Sequence, residues 1–200
     1  MYGSERGSSG GGETKASGEA AVARRFARFS PEESAERGRW GIPEDGLCLS
    51  SFVLLSPRGE PGRVLAGKLD PAADWRRIGA LDDQRKLANA GGWMLPSCHL
   101  LFFESPQAAA ARIVEEQLGL KGVQLGPAET FSEVYRPKRH PNSGQHWDLI
   151  FLFRGTLESS APPRHPVWEE LAFVEPARTP RERFTRSHDE VLELAGFRFP

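Results

Sequence analysis

WMLPSCHLLFFESPQAAAARIVEEQLGL, residues 93–120, carries the strongest local signals in the chain. Its second half reads as a helix with both ends marked. Ser105 can accept from a free N–H of the first turn, and Pro106 suits the first helical position, where no N–H is needed. The four alanines at 108–111 favour helix, and Gly119 stands where a left-handed stop is needed. WMLP, 93–96, reads as a short strand entering the loop before the helix. Ala110, Ile113, Val114, Gln117 and Leu118 form one broad stripe at helical spacing, as in a helix packed on a core. Beside that stripe stand two carboxylates, Glu115 and Glu116.

Working outward, LCLSSFVLLS (47–56) and RVLAGKL (63–69) read as strands around the turn PRGEPG, either as a hairpin or as adjacent strands. DWRRIGALDDQRKLANAGG (74–92) reads as a helical or irregular insertion. TFSEVYRP and WDLIFLFRGTL read as strands separated by KRHPNSGQH, and ELAFVEP as a further short strand. RSHDEVLELAG closes the chain as an amphipathic helix, with Ser187 as its cap and Asp189 and Glu190 at its positive end. Strands on both sides of a central helix, with a terminal helix, predict a mixed α/β sandwich.

The N-terminal part differs in composition. Residues 1–18 are Gly/Ser-rich and polar, and read as a disordered tail. Residues 19–46 read as a helical extension: EAAVARRFARF is helix-prone, and Ser30-Pro31-Glu32-Glu33 marks a second helix start. Residues 47–200 form the main domain. A net charge of −1 argues against a strongly basic nucleic-acid binder. No apolar run is long enough to span a membrane, and no signal peptide is visible. Two cysteines without a close motif point to a reducing cytoplasm.

The segment 93–120 resembles the signature of the Nudix hydrolase superfamily. That signature is Gly, five residues, Glu, seven residues, then Arg-Glu-apolar-X-Glu-Glu-X-Gly-apolar. Glu104, Arg112, Val114, Glu116, Gly119 and Leu120 fall in register without a gap. Three positions depart: Cys98 replaces the leading Gly, Ile113 the Glu after Arg, and Gln117 the last Glu. The resemblance covers about residues 47–196 and implies an α/β/α sandwich with a mixed sheet. It also implies hydrolysis of a nucleoside diphosphate linked to another moiety. In the family, the helix carboxylates hold Mg²⁺ or Mn²⁺ against a diphosphate, and the metal helps activate water.

Carried over by position, Glu104 and Glu116 become the catalytic candidates, and Glu116, Gln117 and Glu104 the metal candidates. Gln117 offers only a neutral oxygen, and Glu115 is rotated about 100° around the helix. The resemblance thus implies a weakened metal site. The base would come from outside the signature, from Glu133 or Asp148, with Glu169 and Glu170 as further acids. Arg136, Lys138 and Arg139 are the candidates for substrate phosphates, since Arg suits bidentate contact.

Two other readings belong beside these. Glu104 and Arg112 can brace loop against helix, with no chemistry. The whole can be a catalytically inactive module of the same fold, binding a nucleotide-type small molecule, RNA or a protein partner. Elsewhere, His146 and Asp148 share one side of a strand, as a ligand pair or a structural one. Cys98 beside His99 can be read as a reactive thiol, although neighbours on a strand point apart. Trp147 and Trp168 can pack or stack on a base.

Overall fold

Phe52 and Leu54 pack into one apolar cluster, while Val53 and Leu55 pack into another. This alternation is the two-residue period of a strand with both faces covered. The strand is β2 (Leu47–Pro57), the centre of the molecule in a computed structural model that describes residues 28–29, 47–135 and 146–200. The other strands are β1 (Arg28–Phe29), β3 (Val64–Leu69), β4 (Ser97–His99), β5 (Glu129–Tyr135), β6 (His146–Leu157) and β7 (Trp168–Val174). The helices are α1 (Trp75–Gly79), α2 (Asp83–Asn89), α3 (Pro106–Leu118) and α4 (His188–Leu194).

The main sheet runs β1-β2-β6-β5, with β4 also on β2. β2 and β6 are parallel, from Leu47 opposite Trp147 to Pro57 opposite Leu157, and the other pairings are antiparallel. β3 and β7 form a separate antiparallel pair. On one face of the main sheet, α3 buries Ile113, Val114 and Leu118 against Val53, Leu55 and Phe153. On the other, α4 buries Val191 and Leu192 against Phe52, Leu54, Ile150 and Leu152. The expected α/β/α sandwich with a mixed sheet is what forms. A third cluster joins Leu69, Trp75, Ile78, Leu81, Met94 and Trp168.

Four expectations are corrected. The strands at 47–57 and 64–69 do not form a hairpin, because β3 finds its partner in β7. Gly67 permits this: a Cβ there would lie 2.3 Å from Cε3 of Trp168. In WMLP, Trp93 and Met94 make isolated bridges to Phe184 and Gly67, and the strand proper follows at β4. Arg28 and Phe29, read as part of a helical extension, pair with Cys48 and Leu47 at the open edge of β2, where unpaired backbone groups favour a strand. Ser187 precedes α4, but its backbone is left-handed (φ 57°) and its side chain makes no capping bond. The reading of residues 1–18 as a tail, and that of the rest of 19–46, lie outside the described residues. No helix among the described residues is long and apolar enough to cross a membrane.

Candidate functional site

The loop and helix at 98–120 are held by one ion pair. Arg112 donates from Nε to Oε1 of Glu104 (2.7 Å) and from Nη2 to Oε2 (2.8 Å). Both side chains are about nine-tenths shielded, at 11% and 12% exposure, so water screens the pair weakly. Arg112 Nη2 also donates to the carbonyl of His99, and the Leu101 N–H donates to Glu104 Oε2. Burial works against the Arg112 charge, but Glu104 outweighs it and holds the guanidinium pKa above its ordinary value. Glu104 and Arg112 thus meet as the signature spacing predicts, in the bracing role. Ser105 Oγ accepts from Ala108 N–H, Pro106 opens the helix, and Gly119 closes it at φ 64°.

The other box positions turn inward. Ile113 is 1% exposed, inside the α3 core. Gln117 is 0% exposed. Its Oε1 accepts from Ser97 N–H (3.2 Å), and its Nε2 donates to the carbonyls of Ser97 (2.8 Å) and Ile78 (3.1 Å). Cys98 is buried, and burial pushes its thiol up to about 11 despite Arg112 beside it. That removes the reactive-thiol reading, since the thiolate is the nucleophile. Glu116 remains half-buried, close enough for its charge to raise the Cys98 thiol further, and Glu115 is exposed.

A hard divalent cation needs several oxygens, preferably anionic, facing one point. Here Ile113 supplies none, the Gln117 oxygen lies inside on a backbone N–H, and Glu104 spends both oxygens on Arg112. Among the described residues, no group of three or more His, Cys, Asp or Glu is gathered as an ion would require. The described residues beside α3 do not fit a Mg²⁺ or Mn²⁺ ion.

The candidate bases lie elsewhere. Glu133 on β5 stands directly opposite Asp148 on β6, on one side of the sheet. Asp148 shares its side with Ile150 and Leu152, the side that packs on α4. Ser51 points to the other side, where its Oγ donates to the Pro106 carbonyl at the start of α3. The sheet therefore separates Glu133 and Asp148 from Glu104 and Glu116. Asp148 is 5% exposed, and burial raises its pKa to about 6 against a hydrogen bond with Ser50 and the charge of Arg186. His188, beside Phe52, accepts the Leu95 N–H on Nδ1 (2.8 Å), and burial, then Arg186, hold its pKa well below 6.5. No spacing in the sequence ties Ser50 and Arg186 to Asp148, because the tertiary fold alone makes them neighbours.

Of the remaining candidates, Glu169 and Glu170 are exposed on β7, and Glu170 pairs with Lys68. Trp168 is core, and Trp147 donates to Ser132 Oγ. Arg136, Lys138, Arg139 and the His146 side chain lie outside the described residues.

Known structures share this architecture. The NUDIX domain of Shewanella oneidensis NrtR, complexed with ADP ribose, aligns over 84% of this chain and 97% of its own at TM-score 0.50 and 13% identity. The MutT protein of Methanosarcina mazei Go1 aligns over 80% and 100% at TM-score 0.49 and 15% identity. The MutT NUDIX hydrolase of Burkholderia pseudomallei aligns over 74% and 96% at TM-score 0.46 and 21% identity. The fold is the Nudix fold of the Shewanella domain. No protein-family model matches the sequence. An alignment 102 positions long, covering 48% of this chain, is 35% identical to the UDP-N-acetylenolpyruvoylglucosamine reductase of Chloroflexus aggregans. The chain spans 33% of that protein's length.

Proposed function

We propose that this chain is a Nudix-fold module that binds a nucleotide-type ligand without cation-dependent hydrolysis. The observation that carries this is the inward turn of Ile113 and Gln117, which leaves two of the three signature positions on the helix without a carboxylate to offer a cation. Hydrolysis by Glu104 and Glu116, with Glu133 or Asp148 as base, would need these acids around one substrate. They stand on opposite faces of a packed sheet. Arg136, Lys138 and Arg139 would hold the phosphates from the cationic stretch of sequence that follows β5, next in sequence to the strands that carry Glu133 and Asp148.

Calorimetry with ADP-ribose, the ligand of the Shewanella domain, tests this. ADP-ribose is expected to bind equally in EDTA and in Mg²⁺, and Arg139→Ala to weaken binding about tenfold, the loss of one charge-assisted contact of about 1.4 kcal/mol. Binding indifferent to Arg139 would remove this stretch from the site. Mg²⁺-dependent turnover that disappears in Glu116→Gln would restore the hydrolase reading.

A further inference from the structure

We propose that Gln117 is the centre of a dry clamp that fills the side of α3 where a cation would otherwise be held, so that restoring the box acid cannot restore a metal site. The inference concerns the chain's own packing and stands or falls apart from ligand binding.

Three segments distant in sequence converge on this residue. The Gln117 side chain bonds both backbone groups of Ser97 on β4 and the carbonyl of Ile78 on α1. Its own main-chain carbonyl accepts from Trp168 Nε1 at 2.7 Å, which ties β7 to the same turn of α3. Trp168 meets Trp75 of α1 edge to face, with ring centroids 4.6 Å apart. Ile78 and Trp75 are 2% and 1% exposed, and Ser97 is 5% exposed. The clamp is therefore closed to water on every side that its named members cover.

Its hydrogen-bond sense dictates the residue. Two carbonyls need donors and one N–H needs an acceptor, and an amide supplies both ends at once. A carboxylate at 117 could still accept from Ser97 N–H but would face the Ser97 and Ile78 carbonyls with oxygen. That leaves two buried acceptors unserved and adds a charge with no counter-ion in the clamp. The segment 74–79 closes what the signature acid would need open: its main chain supplies the Ile78 acceptor, and Trp75 covers the flank.

The test uses the full chain with two substitutions, followed by thermal melting, Mn²⁺ titration and amide hydrogen exchange. Gln117→Glu is expected to lower Tm by more than about 5 °C, the scale of a shift of one to two kcal/mol in a domain of this size. Millimolar Mn²⁺ should return none of that loss. Gln117→Met keeps the volume but removes all three side-chain bonds. It should also lower Tm, and exchange at the Ser97 amide should quicken at least about tenfold, since that N–H loses its acceptor. If Gln117→Glu does not fold, the Met variant decides. A Gln117→Glu protein with unchanged Tm, or one that Mn²⁺ stabilises, overturns the clamp. So does unchanged Ser97 exchange in Gln117→Met.

Discussion

Asp148 keeps its proton to about pH 6 in the fold, against an ordinary 3.8, because burial penalises its charge more than Ser50 and Arg186 offset. A carboxyl whose folded pKa is raised stabilises the protein below its unfolded value and loses that contribution as pH rises through the folded value. Over about two pKa units this amounts to roughly 3 kcal/mol, lost between about pH 4 and pH 6. His188 acts in the opposite sense: its pKa is depressed, so its contribution is lost as pH falls below 6.5. Denaturant unfolding of the wild type and Asp148→Asn across pH 4–7 separates the two. The stability of the variant relative to the wild type should rise by roughly 3 kcal/mol over that window. A difference that stays flat contradicts the buried acid. Sequence made Asp148 a candidate as an acid outside the signature and as a strand partner of His146. The groups that partly offset its burial, Ser50 and Arg186, stand far from it in the chain.

At the scale of elements, α3 was the most legible part of the molecule, because its start and stop signals are local. Ser105, Pro106 and Gly119 act as their residue types predict. The apolar stripe was legible too, and it correctly carried Gln117 inside with Ile113 and Val114. What sequence could not supply was a reason for a buried amide, since Ile78 and Ser97 stand 39 and 20 residues away. Gly119 provides a test of the helix stop. Its φ of 64° is left-handed, and a Cβ there would meet His165 Cδ2 at 3.1 Å. Gly119→Ala should cost about 1–2 kcal/mol in urea unfolding, the price of a left-handed L-residue. A neutral result would mean that the Schellman-type end, with Gly119 N–H on Glu115 and Leu120 N–H on Val114, is not what stops the helix.

Across the whole molecule, the order of strands and helices followed from hydrophobic period and turn residues. The pairing of β3 with β7 did not, because it joins segments about a hundred residues apart and depends on the fit of Trp168 over Gly67. The same distance effect hid the separation of the acids. On the sequence, Glu104, Glu116, Glu133 and Asp148 are four candidates for one site. In the fold, two brace or flank α3 and two face each other across β5 and β6 on the far side of the sheet. The signature spacing thus survives as architecture: Glu104 and Arg112 lock the loop, Gly119 ends the helix, and Cys98, Ile113, Val114 and Gln117 pack.

Manganese titration of the 200-residue chain followed by electron paramagnetic resonance tests this account most directly. It predicts a free-ion signal that rises with added metal, with no site filled at micromolar concentrations and no difference in Glu116→Gln. One ion held tightly by the wild type and released by that substitution would contradict it.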